Sequence, residues 1–592
     1  MFSIKSTHIR YIALVLMIAL FGGAFWYVKQ AQGVTRTWDG GGADANWNTP
    51  ANWSGDTVPT SADVAQFDGT CASNCSPTIN VTLSSGSAPA GINMASDYAG
   101  TITQAATFAV GTSGWTQAGG TFIGGSQTIT LQGDFALSGG TFTSTSGTLS
   151  LRNVNFTHTA GGTFNHNNGT LSVWVNNART IDVATSETLN NFTVDANNNV
   201  DIVSIASGDT LIVLGTFTHD YGTLNTGTVE ARGNVIVGVG GTGPNGGSAT
   251  VTMLVAGDQT ITGSGGTTGN LNIDKSSGTV TGSGDFGVSG FTLISGTFTS
   301  TTGTLTVKGN FTHTAGGTFN HNNGTVVLDY DTSFTIDVAT TETFNNLTGT
   351  SDDAIDSVTI ASGDTLIVLG TFTHTNGGFN TGTVEARSNV SVSAGADGGS
   401  ALLSLTGSND QAYTDSGGNE MDGDITINKT GGIVALLSNA DWNASGQDLT
   451  ITAGTLKVGS TYALTTTALT VGASGVLKMV GTGDLTLAGN VANDGQIIIE
   501  NNQTCGGTDD IQILSSVAGT QRAWSGAGTV TVYDATVKDQ GGSLAITAYS
   551  STSVSGNGAN WTFSGAACPT IAPALNITSG LLNIGSGIVN FR

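Results

Sequence analysis

Positively charged residues are scarce in this chain of 592 residues. Lysine and arginine together number 16 against 41 aspartates and glutamates, so the net charge is −25 at pH 7. No basic stripe runs along the sequence, which argues against a phosphate-binding surface and against nucleic acid as a partner. Charged residues make up only 10% of the chain and hydrophobic residues 38%, a balance too apolar for a disordered linker.

Cysteine is also sparse, with four residues in the whole chain. Cys71 and Cys75 have a spacing that closes a small disulfide loop, and Cys505 and Cys568 remain for a second bridge, although four cysteines allow three pairings. A zinc site is the weaker alternative, because no histidine lies near either pair and zinc ligands come at tighter spacing.

Helical periodicity is missing as well, and 88 glycines punctuate the chain. Short alternating runs such as TFTST, TLSL and FTHT are separated by GG, NNG or SG. The same phrases return at a regular interval, as from Phe135 to Phe156. Alternation buries one face of each run, while glycine and asparagine supply corners with positive φ.

The sequence contains a long internal duplication. Phe156 matches Phe311 at an offset of 155 residues (311 minus 156), and GDQTITG from Gly257 returns in altered form from Asn409. The first copy covers about residues 135–280 and the second about 291–435. Antiparallel sandwiches and propellers require other periods, whereas one coil per roughly 20 residues is typical of a solenoid. We therefore predict an all-β, right-handed parallel β-helix over residues 76–565.

The N-terminal segment differs from the rest. Lys5 and Arg10 precede an uncharged apolar run over residues 11–28, which is long enough to cross a membrane. Residues 1–33 are thus predicted to form one transmembrane or signal helix, either a membrane anchor or a cleaved signal peptide. In both cases the remainder is exported to the cell envelope or the extracellular space.

The two ends of the predicted solenoid need separate treatment, since an open coil exposes an unpaired strand edge. Residues 34–75 contain Trp38, Trp47 and Trp53, which are predicted to form an N-terminal cap or, alternatively, a platform that stacks on sugars. Residues 566–592 are predicted to form the final coil or coils. The pattern stops there without a cap, so either the chain is truncated or another molecule covers its end.

Several phrases carry a resemblance to a known group of proteins. WDGGGADANWNTPANWSGDTVPTSADVAQFDGT, GDQTITG, LNIDKSSGTV and KDQGG ahead of GANWTF are similar to the exported bacterial surface proteins built on right-handed parallel β-helices, of the autotransporter and filamentous-haemagglutinin-like kind. This resemblance implies an adhesin or a cell-envelope component, with glycans or other surface proteins as partners.

Six histidines of the exported part share the pattern Phe-x-His, which places the imidazole on the same face as the phenyl ring. We expect neutral imidazoles hydrogen-bonded to turn carbonyls near coil corners, rather than a ladder of metal ligands. The histidines are His158, His166, His219, His313, His321 and His374.

Catalysis is the alternative function, because polysaccharide lyases of the pectin lyase type and some hydrolases also use parallel β-helices. Their sites need grouped carboxylates, or calcium with a basic residue, and a site should interrupt the repeat. The acidic pairs Asp352–Asp353 and Asp509–Asp510 are weak candidates, and no basic residue accompanies the first pair in the sequence. GGTDDIQIL half-matches a calcium-binding nonapeptide, which is compatible with weak calcium binding, but no cofactor or metal is assigned. The sequence therefore favours a non-enzymatic surface protein.

Overall fold

A computed structural model describes most of the chain. The described residues are 33–84, 86–238, 243–417, 421–443, 446–459, 461–500 and 511–565. The predicted N-terminal helix and residues 566–592 lie outside these ranges. The same holds for Cys505, Cys568, Asp509 and Asp510.

The described residues form an all-β parallel solenoid of right-handed type with about 21 turns. Apart from one short 3₁₀ helix, Pro50–Asn52, the regular structure in these ranges is strand. Successive coils pair in parallel, as Phe135 pairs with Phe156 and Phe156 with Ile181. The fold class predicted from the period of the sequence is confirmed.

Two compact units divide the chain: unit 1 contains residues up to 385 together with 393–401, and unit 2 contains residues 386–392 and those from 402 onward. In unit 1 each coil contributes strands to three sheets, here called faces A, B and C in chain order. The strands of face A are Thr35–Thr37, Val64–Phe67, Gly91–Met94, Gly114–Gln117, Phe135–Leu137, Phe156–His158, Arg179–Val183, Ile202–Ile205, Thr223–Asn225, Thr267–Thr268, Phe286–Val288, Thr304–Val307, Thr325–Asp329 and Asn346–Thr350.

Face B follows after the first corner of each coil. Its strands are Thr78–Ile79, Thr101–Gln104, Thr121–Ile123, Gly140–Thr143, Gly162–Asn165, Ser186–Leu189, Thr210–Val213, Thr228–Ala231, Thr250–Met253, Phe334–Val338 and Ser357–Ile360. Face C completes the coil with Phe108–Val110, Ile129–Leu131, Thr148–Arg152, Thr170–Val175, Asn191–Ala196, Phe217–His219, Val235–Val237, Gln259–Gly263, Thr341–Phe344, Thr365–Val368 and Thr383–Ala386.

Some strands of unit 1 bend around a corner and serve two faces. Asn270–Ser283, Phe291–Thr299 and Phe311–Asn320 begin on face B and end on face C, and Phe372–Asn380 begins on face A and ends on face B.

Unit 2 is built from the same kind of coil. Its strands are Leu402–Leu405, Gln411–Asp415, Ile425–Leu436, Ala440–Trp442, Leu449–Val458, Leu464–Thr466, Leu469–Val480, Leu485–Leu487, Val491–Asn493, Gln496–Glu500, Ile511–Ser515, Arg522–Ser525, Thr529–Tyr533, Ala535–Val537, Gln540–Gly542, Ile546–Tyr549, Thr552–Ser553 and Trp561–Ser564. The strand Val390–Ala396 is divided, with residues 390–392 in unit 2 and 393–396 in unit 1.

Aromatic and aliphatic side chains form columns inside the coils. The rings of Phe135 and Phe156 stack with centroids 4.8 Å apart, and those of Phe291 and Phe311, their counterparts in the second copy, show the same separation. The spacing matches the rise between neighbouring parallel strands, about 4.8 Å. Like residues therefore pack above like residues, and duplicating a block extends the core without new packing requirements.

The corners use residues that tolerate positive φ. Asn167 and Asn168 have φ of 49° and 58°, and their counterparts Asn322 and Asn323 have 50° and 58°. Asparagine is among the few residues other than glycine that adopt this region readily. Gly140 has φ of 70°, and a Cβ there would lie 2.2 Å from the carbonyl oxygen of Gly120 on the coil below, so only glycine fits.

The two copies of the duplication are out of phase by one face. Phe156 belongs to a column of face A, where it pairs with Ile181. Its counterpart Phe311 pairs with Phe291, which stands in the face B column above Leu271. The repeat is therefore not a whole number of coils, and equivalent surface residues of the two copies occupy different faces of unit 1.

Candidate functional site

The three N-terminal tryptophans lie inside the first coils. Trp38, Trp47 and Trp53 are each fully buried, and their rings contact one another and Phe67. The indole nitrogen of Trp53 donates to the carbonyl of Trp47 at 2.7 Å. Because the three rings are fully buried, a sugar cannot stack on them. Their role as a cap stays a prediction.

The predicted disulfide between Cys71 and Cys75 is present, with the two Cα atoms 5.7 Å apart. The loop that it closes is linked to the coil above, because the Tyr98 hydroxyl donates to the carbonyl of Cys75 at 2.7 Å. The bridge thus fixes a surface loop beside the buried tryptophans.

The histidines divide into pairs that repeat in both copies. Nε2 of His374 lies 2.6 Å from the carbonyl of Gly377, as expected for a neutral imidazole at a corner, and burial lowers its pKa. His158 differs from this expectation, since its Nδ1 hydrogen-bonds to the carboxylate of Glu187, and His313 contacts Glu342 in the same way at 2.5 Å. These hydrogen bonds raise the pKa of both histidines. Among the described residues no group of three or more metal-ligating side chains forms a metal site.

Asp352 has a basic neighbour that the sequence did not reveal. Lys308, 44 positions earlier (352 minus 308), lies within electrostatic reach of Asp352, so the fold supplies a basic residue that the sequence around the pair does not contain. Asp353 instead forms hydrogen bonds within its own turn. Its backbone N–H donates to Oγ of Ser351 at 3.0 Å, and its carbonyl oxygen accepts from the same hydroxyl at 2.7 Å.

Lys308 is the centre of a cluster of carboxylates. Its Nζ lies 2.9 Å from Oδ2 of Asp329, and Asp331 and Asp352 complete the group. Burial acts to lower the pKa of Lys308, but the hydrogen bond to Asp329 and the three negative charges outweigh it, so the pKa is raised. Burial raises the pKa of Asp331, and the charge of Asp329 together with a hydrogen bond to Asp352 acts in the same direction.

An open groove of about 250 Å³ adjoins this cluster on face A. Glycines form part of its lining, and at Gly287 a Cβ would lie 2.5 Å from Oγ1 of Thr267. Apart from Phe286, the remaining lining is polar or charged and includes Thr304, Thr306, Lys308, Asp285 and Asp329.

The equivalent row in the first copy carries different chemistry. Arg152 is the last residue of its strand and aligns with Lys308, which directly follows the corresponding strand of the second copy, and Trp174 stands where Asp329 stands. The Arg152 guanidinium carbon lies 5.7 Å from the centroid of the Trp174 ring, and the backbone of Asp195 pairs with Trp174 on the next coil. This row ends the strands of face C, whereas the Lys308 row ends strands of face A.

The aligned copies contain the signal that sequence reasoning overlooked. In FNHNNGTLSVWV and FNHNNGTVVLDY the first seven letters are identical, yet the outward residue Trp174 is replaced by Asp329. Interior positions of this stretch stay apolar or aromatic because they must stack, whereas the outward position of Trp174 changes from an indole to a carboxylate.

Comparison with protein-family models, with curated proteins and with solved structures gives no significant match for this chain. Within the described ranges, no helix is sufficiently long and apolar to span a membrane. Residues 11–28, which the sequence predicts to do so, lie outside those ranges.

Proposed function

We propose that this chain is an exported surface protein, tethered to the membrane through residues 11–28 or released by cleavage, that has an adhesive or structural role and is not an enzyme. Glycans or other surface proteins are its proposed partners. The disulfide between Cys71 and Cys75 supports an oxidising compartment, since such bridges are rare in the cytosol.

The observation that carries this proposal is the register of polar side chains along the outside of the coils. Thr252, Asn272, Thr292 and Thr312 occupy one row on four successive coils of face B, each partly exposed, while their neighbours in sequence point into the core. Hydroxyl and amide groups repeated about every 4.8 Å offer many weak contacts to an extended ligand.

The test combines location with binding. Cells that produce the full chain are treated with an external protease, and the mature N-terminus is sequenced to distinguish an anchor from a cleaved signal peptide. The purified protein is then applied to a glycan panel. Surface exposure together with glycan retention supports the proposal, whereas a protease-resistant chain that remains inside the cell contradicts it.

A carbohydrate-active enzyme is the second candidate, and the cluster around Lys308 favours it. Carboxylates and one basic residue lie beside a groove. Burial raises the pKa of Asp331, and the charge of Asp329 and the hydrogen bond to Asp352 act in the same direction, as a general acid requires. Incubation with acidic and neutral polysaccharides, with and without calcium, tests this function. Chain cleavage that disappears in Asp352→Asn but persists in Asp353→Asn would establish the enzyme and overturn the adhesive proposal.

A further inference from the structure

Arg152 is an exposed cation whose hydrogen-bonding capacity is unused. Its guanidinium has no hydrogen-bond or ion-pair partner among the residues that the structure describes, and it lies against the ring of Trp174 at 5.7 Å. Other arginines are held by acceptors: Arg179 donates to the carbonyls of Asn153 and Ala178. Stacking on an indole fixes the plane of a guanidinium while leaving its edge free to donate.

Trp174 itself is unusual among the described tryptophans, because it points outward and is partly exposed. Arg152, Trp174 and Asp195 lie on three successive coils, and the backbone of Trp174 pairs with both of the others. Trp174 therefore separates Arg152 from Asp195. Asp195 feels the charge of Arg152 but forms no ion pair with it. The guanidinium therefore keeps its other side open toward the coils below. The tryptophans that are instead fully buried include Trp115, Trp442 and Trp524.

That side opens onto a groove of about 480 Å³ on face C. Arg152 stands at one end, Gln132 and Thr130 line the next coil, and Thr107 and Ala109 line the coil below that. Arg152 contributes the only charge among the lining residues that the structure describes. The volume falls in the range of small-molecule sites, about 300 to 1,000 Å³.

We propose that this groove binds a glycan bearing a carboxylate, with the sugar carboxylate paired to Arg152 and ring hydroxyls facing Thr130 and Gln132. The inference rests on the proposed glycan-binding function and assigns to it a site and a ligand class. A planar guanidinium with free donors matches a carboxylate in a bidentate arrangement. A sulfate ester can pair in the same way, but a carboxylate is the more basic anion and accepts the stronger hydrogen bonds.

The acidity of the whole chain does not prevent this interaction. The net charge of −25 is spread over 592 residues, and charges farther away than about 8 Å are largely screened at physiological ionic strength. A carboxylate in contact with Arg152 is screened much less. The ligand is therefore selected by the local groove and not by the overall field.

The experiment measures binding of three hexasaccharides to the full chain by calorimetry at physiological salt. The probes are hexagalacturonate, its neutral methyl ester and a sulfated maltohexaose. Hexagalacturonate is expected to bind at least about tenfold more tightly than its neutral ester, because a charge-assisted hydrogen bond contributes that much, and more tightly than the sulfated probe. Arg152→Met should remove this preference, and Arg152→Lys should retain only part of it.

Arg232→Met is the matched control, since it removes one arginine charge that is paired with Glu230 and lies outside the groove. It should change hexagalacturonate affinity less than twofold, with both variants retaining the wild-type far-UV circular dichroism spectrum. Equal losses in Arg152→Met and Arg232→Met, or equal binding of the sulfated and carboxylated probes, would overturn the assignment. Retention of other glycans without dependence on Arg152 would refute this site alone, whereas retention of no glycan and no surface exposure would refute the proposed function as well.

Discussion

Nζ of Lys275 donates a hydrogen bond of 2.6 Å to Oε1 of Gln259 inside the coils of unit 1. Nε2 of Gln259 in turn donates to the carbonyls of Ala231 and Gly233, at 2.9 and 2.6 Å. One glutamine therefore joins the coil before it to the coil after it. This explains why the glutamine and the lysine recur together in the duplication, as Gln411 and Lys429.

We expect Gln259→Leu to lower the free energy of unfolding by about 2 kcal/mol or more, because it leaves two buried carbonyls and the Lys275 amine with fewer partners. Lys275→Met should cost less, since it removes the amine together with its need for acceptors. Urea unfolding followed by tryptophan fluorescence measures both. Gln411→Leu provides the matched control, because Lys429 donates to Gln411 at 2.8 Å in unit 2. A larger loss in Lys275→Met than in Gln259→Leu would contradict this account.

The pair formed by His158 and Glu187 should make unit 1 sensitive to pH in one direction. The hydrogen bond to Glu187 raises the pKa of His158 above the unfolded value of about 6.5. Its stabilisation is therefore complete below pH 6.5 and is lost as the pH rises through the folded pKa. NMR titration should show the pKa of His158 falling in Glu187→Gln, while Glu342→Gln acts only on His313. An unchanged titration of His158 would show that the contact is not formed.

His219 should make stability depend on pH in the direction opposite to that of His158. It is completely buried, its Nδ1 lies 3.1 Å from Oγ1 of Thr268, and burial lowers its pKa to about 3. Because the unfolded histidine binds its proton near pH 6.5, stability should fall as the pH decreases from 6.5 toward 3. The difference in urea midpoint between pH 7.5 and pH 4.5 should be smaller in His219→Leu than in wild type. A difference of the same size would mean that another group drives acid unfolding.

Trp53 should contribute strongly to the first coils. Its side chain is fully buried between Trp47 and Phe67, so Trp53→Ala should cost about 3 to 5 kcal/mol through lost burial and a cavity. Trp53→Phe should cost less, because most of the ring volume remains. Hydrogen exchange should locate the loss in the coils around residues 35–67. Loss of protection confined to distant coils would show that this segment does not stabilise the start of the solenoid.

Much of the fold was predictable because stacking imposes a period on the sequence. Columns of like residues such as Phe135 and Phe156 require similar residues at each coil, and positive-φ corners require glycine or asparagine. Both features can therefore be recognised in the sequence. The phase of the duplication was not predictable. Corner lengths vary, since the step from Phe135 to its partner Phe156 is shorter than the step from Phe156 to its partner Ile181. The offset between the two copies therefore does not determine which face Phe311 occupies.

The candidate sites were less accessible to sequence reasoning for a related reason. Lys308 and Asp352 are brought together by the register of two coils, and no local motif records that register. Arg152 and Trp174 are likewise separated by one coil. On a solenoid, the side chains of a site come from successive coils. A search along the chain therefore finds acidic pairs such as Asp352 and Asp353 and overlooks their neighbours on the coils above and below.

A variant that lacks residues 156–310 should fold, because the deletion removes one complete repeat and joins Asn155 to Phe311. Phe311 then stacks on Phe135, as Phe156 does in the intact chain, and every later coil meets the neighbour type it already has. A variant that lacks residues 156–300 instead joins Asn155 to Thr301. Phe311 then comes about half a coil too late to stack on Phe135, so the apolar columns are interrupted and exposed. Circular dichroism and thermal melting should show a β-rich, cooperative protein for the first deletion and an aggregating chain for the second. Equal behaviour of the two would mean that coil phase does not govern folding, and that stacking of like residues is not what stabilises this solenoid.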